Sequence, residues 1–424
     1  MRGRIINNSN RLESKEIVEG DFLSSFSLDF HIMDVPAIQL VLPITYSKYI
    51  TGSSIIHLRA DDWVYEGYVE DKRNSYRDNI VTVTTSHIVG KLSKRSLPTN
   101  VTVKDKNAKE TVEQAIGYWS KEDFKKDIVN QFTINFIDKG VNKEKIEYEF
   151  SNETLLEFFT KVCSKTTNLY WRINRYDPYL IEFGEFGTHK NILINEYNYM
   201  IELSDVTEDY SAITNAGVVM SDKSDSGASS LTLRDIFYNK SLMVDGFPVI
   251  KTDNSINTQR QYDYPQIPIF APEIIGDEFA VLDEEGIALE AGELYWNTIT
   301  DNDTQAVAKN NKEVTDQDRL NATKQLYQSS IRKLKNSRRR IVYTLTVKPL
   351  PDRSCQIGDK VMFTINHGVT ELTACTNYYE KVLKESNWFY ITRLSDKYNE
   401  GNSRVQEIEL SKFIYSDKDK YATS

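Results

Sequence analysis

Apolar and polar residues alternate along much of this chain, in short runs cut by turn residues. Phe22, Phe26, Leu28 and Phe30 alternate with polar positions, Ile38-Gln-Leu-Val-Leu stops at Pro43, and Ile55-Ile-His-Leu follows the turn Thr51-Gly-Ser-Ser. Period-two alternation bounded by such turns predicts half-buried strands. Five or six of them between residues 20 and 104 predict a small barrel or sandwich. The period then lengthens. Val112, Ile116 and Trp119 have helical spacing, and so do Leu155, Phe158, Phe159 and Val162, with Ser151 as the expected N-cap. Leu169-Tyr-Trp-Arg-Ile and Tyr179-Leu-Ile-Glu-Phe flank Asn174-Arg-Tyr-Asp-Pro178, so a helix on a two-stranded ribbon is expected.

Strands resume at Ala216-Gly-Val-Val-Met and, after a Ser/Asp/Gly-rich stretch at 221–230 that reads as a flexible loop, at Leu231-Thr-Leu. Residues 253–312 are irregular, and Tyr264-Pro-Gln-Ile-Pro-Ile-Phe-Ala-Pro reads as an extended linker or arm. The strongest helix is expected over 315–336, with a stripe of Leu320, Thr323, Tyr327, Ile331 and Leu334. Arg332, Lys333, Lys335 and Arg338-Arg-Arg340 load its C-terminal end, where cations complement the helix dipole. Strands return at Ile341-Val-Tyr-Thr-Leu-Thr-Val. The expected domains are a first β-barrel over 1–104, an α+β domain over 105–203, a second, split barrel made of 204–252 plus 340–424, and an extended insertion with the long helix over 253–339.

One pattern occurs at both ends of the chain. Tyr65, Asp71, Lys72 and Asn74 precede Ile80-Val-Thr-Val, and a single offset aligns them with Tyr390, Asp396, Lys397 and Asn399, which precede Val405-Gln-Glu-Ile. Each copy reads as strand, polar turn, strand. A chain that builds one β unit twice presents two similar surfaces, and three such chains could form a six-fold ring.

Charge narrows the function. The 424 residues carry a net charge of −10, so a basic nucleic-acid-binding stripe is not the default, and an acidic surface repels a phosphate backbone. Cys163, Cys355 and Cys375 are far apart and form no metal or redox motif; they suit synthesis in a reducing cytosol. The first residues, Met-Arg-Gly-Arg-Ile-Ile-Asn-Asn, are no signal peptide, and no window approaches a membrane span.

Catalytic signatures are lacking. His31, His57, His87, His189 and His367 have no ligand spacing, and no HExxH, GxSxG, GxGxxG or P-loop occurs. Asp301-Asn-Asp303-Thr resembles half of a calcium loop but lacks the glycine and the distal glutamate. Carboxylate pairs such as Asp61-Asp62, Glu208-Asp209 and Asp283-Glu-Glu285 are what 62 acidic residues produce by composition, although a glycosidase needs such a pair. No catalytic residue, cofactor or metal is expected.

Several segments together resemble the hub proteins at the tip of phage tails. These are the baseplate hubs of contractile tails and the N-terminal module of tail-associated (Tal) proteins, often labelled prophage tail endopeptidases. Pro36 to Tyr49, Trp63-Val-Tyr-Glu-Gly-Tyr and Ile80 to Leu92 resemble the opening barrel. Thr154-Leu-Leu-Glu-Phe-Phe-Thr-Lys-Val with Leu169-Tyr-Trp-Arg-Ile resembles the helix-plus-hairpin domain. Asp209-Tyr-Ser-Ala-Ile-Thr-Asn-Ala-Gly-Val, the long helix and Ile357-Gly-Asp-Lys-Val resemble the second barrel.

The resemblance implies a β-rich α+β, hub-like protein with two related small barrels and a mixed domain. It implies a homotrimer that caps a six-fold tail tube. The expected partners are the tube or distal tail ring, the tape-measure protein, and other baseplate or receptor-binding proteins. DNA would pass only in transit, and no stable membrane insertion is expected. The location would be the virion tail tip, after assembly in the bacterial host cytoplasm. The chain stops soon after the second barrel, so the endopeptidase label is not carried over. The alternative is a tail enzyme that degrades wall glycan or peptide through a carboxylate pair.

Overall fold

Alternation along the N-terminal residues builds seven strands: β1 (Arg2–Asn7), β2 (Ser14–Ile17), β3 (Phe26–His31), β4 (Ala37–Pro43), β5 (Ser54–Arg59), β6 (Val64–Ser75) and β7 (Ile80–His87). The computed structural model describes residues 1–7, 14–97, 100–137, 144–209, 216–221, 231, 268–270, 296–301, 315–336, 340–351, 354–364, 388–398 and 404–415. Six of the seven strands form one antiparallel sheet in the order β2-β1-β5-β6-β7-β4. Its inner face is Ile5, Ile17, Leu40, Leu42, Ile56, Leu58, Tyr65, Val81 and Val83, all buried. Each fully buried aliphatic side chain contributes about 1.5–3 kcal/mol. The strands β1 and β2 lie before the point where the alternation is legible.

The middle of the chain supplies β8 (Val101–Lys106), α1 (Ala108–Gly117), β9 (Thr133–Phe136), β10 (Ile146–Phe150), α2 (Leu155–Ser164), β11 (Tyr170–Ile173) and β12 (Leu180–Gly184). The expected ribbon of β11 and β12 gains β9 as a third, parallel strand. The cap of α2 is Thr154 rather than the expected Ser151. Its hydroxyl accepts from the Glu157 N–H while the Glu157 carboxylate accepts from the Thr154 N–H. Thr154-Leu-Leu-Glu157 is therefore a capping box, whose reciprocal bonds outweigh a lone serine upstream.

After β13 (His189–Ile194) and β14 (Met200–Asp209) come β15 (Ala216–Ser221), β16 (Pro268–Phe270), β17 (Trp296–Asp301) and α3 (Asp316–Asn336). These last three strands make a separate small sheet, β16-β15-β17, so 216–221 is not a strand of the second large sheet as expected. Pro268 sits at the start of the edge strand, where its missing N–H costs no ladder bond. The 222–230 loop, Arg338 and Arg339 lie outside the described residues.

The second large sheet adds β18 (Arg340–Val347), β19 (Lys360–Phe363), β20 (Trp388–Tyr398) and β21 (Arg404–Ser411), in the order β13-β19-β20-β21-β18-β14. It recruits from across the chain. β3 leaves its N-terminal neighbours and pairs antiparallel with the far half of β20, Phe30 opposite Leu394. The fold is β-rich α+β, with two curled half-barrel sheets and few helices. The first sheet lacks the strand that follows β2, because that strand is spent on the second.

Candidate functional site: the charged junction between the sheets

Two turns bring charge into the interior. Asp62 lies in the turn between β5 and β6. Arg175 lies in the turn between β11 and β12, where the Asn174 side chain accepts from the N–H groups of Tyr176 and Asp177 at 2.8 and 3.2 Å. That Asx turn bends the chain so that Arg175 points inward and is buried. From the second sheet, β20 contributes Asp396 and β21 contributes Arg404 and Gln406.

These five side chains form one network. Arg175 Nη2 donates to Asp396 Oδ2 at 2.7 Å and lies 3.7 Å from Asp62 Oδ2. Arg404 donates to Asp62 Oδ2 at 2.6 Å and, through Nε, to Asp396 Oδ1 at 2.8 Å. Gln406 Nε2 donates to both carboxylates, at 3.3 and 3.0 Å. Burial disfavours the Arg404 charge, but the hydrogen bond to Asp62 and the field of Asp396 hold its pKa above the ordinary arginine value. Two carboxylates face two guanidinium groups, and within this network Asp62 Oδ1 and Arg175 Nε are buried with no hydrogen-bond partner among the described residues. The network joins the first sheet, the α+β region and the second sheet. Its geometry suits holding them in register.

Two more buried cations do the same work. Arg172 faces Glu182 across β11 and β12 at 2.8 Å and reaches Asp359 at 3.3 Å, beside β19. Burial pushes the Asp359 carboxyl above its ordinary value, against the pull of Arg172. Arg332 was expected among the cations that complement the dipole at the C-terminal end of the long helix. It is buried, and donates to the carbonyls of Cys163 and Leu169 at 2.8 and 2.6 Å with its guanidinium over the Tyr170 ring. It thus ties α3 to the C-terminal end of α2 and to the residue that precedes β11.

The repeat positions divide. Tyr65 is buried on β6, and its hydroxyl is 2.9 Å from Thr85 Oγ1. Tyr390 is half-buried on β20, with Lys360 Nζ 4.4 Å from its ring centroid. Asp71 is exposed and pairs with Arg73, whereas Asp396 is buried in the junction. Lys72 donates to the carbonyls of Ser47 and Ile50, Lys397 pairs with Glu407, Asn74 accepts from Ser47, and Asn399 lies outside the described residues.

The two segments are hairpins, but one offset does not relate their pairing. Asp71 is opposite Thr84, so the offset would put Asp396 opposite Glu409; it is opposite Gln406. The odd slip and differently placed bulges change which partner each side chain meets.

Three other sequence candidates, His87, His57 and Asp301, have their partners within the fold, while His367 and Asp283-Glu-Glu285 lie outside the described residues. His87 ends β7, buried, its Nδ1 accepting from the Val89 N–H, and burial pushes its pKa down to about 3. His57 contacts Glu66, which also accepts from the Tyr179 hydroxyl; burial works against the carboxylate, but these bonds hold its pKa below the ordinary value. Asp301, from the half-calcium pattern, is buried against Lys165 and Ser329. Among the described residues no group of three His, Cys, Asp or Glu side chains could hold a metal ion. No described helix is long and apolar enough to cross a membrane.

Sequence reading missed Arg175 and Arg404, whose partners come from distant segments. The pair of Arg172 and Glu182 was legible: each is a lone charge within an apolar strand, on facing strands.

No family model matches the chain, and no curated protein matches its sequence. Solved structures do match it end to end. The prophage tail protein gp18 from Listeria monocytogenes EGD-e superposes with a TM-score of 0.58 at 13% identity, covering 100% of this chain and 98% of that one. A tail protein from Neisseria meningitidis MC58 gives 0.55 at 9% identity over 97% and 96% of the two chains. The 43 kDa tail protein of prophage MuSo2 from Shewanella oneidensis gives 0.54 at 9% over 100% of both. The chain has the fold of these tail proteins.

Proposed function

We propose that this chain is a structural virion protein, the hub at the tip of a phage tail or of a related injection particle. Three copies form a ring that caps the tail tube and contacts the distal tail ring, the tape-measure protein and neighbouring baseplate proteins. DNA crosses the lumen without being gripped. The observation that carries the reading is the match to three tail proteins over at least 97% of the chain, both half-barrel sheets included. The junction supports it: buried ion pairs that fix three parts of one chain suit a rigid ring component. A trimer presenting two β units per chain would match a six-fold tube.

The test is to remove this gene from an inducible prophage and image the particles. The expected result is tails that lack a tip or fail to form, restored by the gene in trans. Intact tips in its absence would refute the hub. Clearing of a cell-wall suspension by the purified chain would support the enzymatic alternative.

A further inference from the structure

The outer face of the first sheet carries an unbalanced pair of charges. Arg2 on β1 is directly opposite Arg59 on β5, and both are exposed. Directly opposed residues on one sheet face have Cβ atoms about 4.5–5.5 Å apart, where like charges destabilise the pairing. The next row is balanced: Arg4 lies between Glu16 and His57, and His57 contacts Glu66. Neither the Arg2 nor the Arg59 side chain has a hydrogen bond or ion pair among the described residues. Both line a cleft of about 920 Å³ that runs from β2 to Arg404 at the edge of the junction. Arg404 is already engaged by Asp62 and Asp396, so the unanswered charge is that of the two N-terminal arginines.

We propose that this cleft receives an acidic segment of a second copy of the chain, with one carboxylate bridging Arg2 and Arg59. The proposal rests on the ring reading above and names one face of its subunit contact. Copies that each carry −10 repel at long range, so they associate where a positive patch meets the neighbour's acidic surface. Glu16, Glu19 and Asp61 on the rim limit the negative charge the cleft can take, which suits one carboxylate between the two arginines and not a run of phosphates. Val18, 60% exposed at the same rim, offers the apolar contact that protein interfaces use and nucleic acid does not need. A cleft on one copy that takes a different surface of the next makes a head-to-tail contact, the kind that closes into a ring.

Sedimentation velocity of the full chain over a concentration series, at low and high salt, tests this. The expected result is an oligomer that weakens with salt and whose dissociation constant rises about tenfold or more in the double variant Arg2→Glu, Arg59→Glu. Arg59→Gln, which removes charge without reversing it, should weaken the oligomer less. Circular dichroism should show both variants folded, since the side chains are exposed. An oligomer that the double variant leaves unchanged overturns the cleft and spares the ring. A monomer at every concentration overturns both. Binding of labelled duplex DNA that the variant abolishes, with the oligomer intact, also overturns the cleft contact and assigns it to nucleic acid.

Discussion

Asp396 and Lys397 are neighbours on one strand, and physics assigns them very different weights. Asp396 is fully buried between Arg175 and Arg404; Lys397 is half-exposed and pairs with Glu407. Asp396→Asn leaves the buried Arg175 and the partly buried Arg404 sharing Asp62. It should cost about 3–5 kcal/mol in urea unfolding. Lys397→Ala should cost less than about 1 kcal/mol, because solvent screens an exposed pair. Equal losses would contradict this assignment. His87 gives a pH signature. Its folded pKa, pushed down to about 3 by burial, lies below the unfolded value of about 6.5. The unfolded chain therefore binds the proton first. Stability from the neutral ring is complete above about pH 6.5 and falls as pH drops toward about 3, by at most about 1.4 kcal/mol per unit. Asn in its place keeps an acceptor for the Val89 N–H and cannot titrate, so His87→Asn should flatten acid unfolding between about pH 6 and about pH 4. An unchanged slope would place the proton uptake elsewhere.

Among the elements, local signals were legible and partner choice was not. Period-two runs located β4 through β7, and helical spacing located α1, α2 and α3 within a few residues. Phe26, Leu28 and Phe30 announce a strand, but nothing near them says that its partner is Ser395, Leu394 and their neighbours. The sequence therefore suggested a small barrel or sandwich without saying that one of its strands, β3, joins the second sheet. The burial of Arg332 was not legible for a related reason: the sequence shows a cation near a helix end, and its burial depends on α2 lying alongside. Gly67 is a local feature with a clear consequence. A Cβ there would lie 2.5 Å from the Tyr65 ring, which folds over the bare backbone two residues away. Tyr65 is buried and bonded to Thr85, so it cannot swing aside. Gly67→Ala should destabilise by about 1–3 kcal/mol, read as a lowered thermal midpoint. A midpoint equal to or above that of the parent would show that the ring has room.

At the scale of the molecule, the ends of the chain are woven together. The second sheet takes strands from residues 26–31, 189–209 and 340–411, and the junction ties it to Asp62 and Arg175. A boundary at residue 104 follows the sequence pattern but separates β3 from β20. A fragment of residues 1–104 made alone should therefore aggregate or unfold without cooperativity, and co-production with 105–424 should recover it. A soluble, cooperatively unfolding fragment would show that β3 is dispensable. The same weave sets a clock during translation. Leu394 follows its partner Phe30 by 364 residues, and at about 5–20 residues per second the ribosome needs roughly 20–70 s to deliver it. Through that interval Phe26, Leu28 and Phe30 have no lasting shelter, and a chaperone would find them. A polypeptide cut short before Trp388 never seats the strand. Incomplete chains should thus fail at the level of folding.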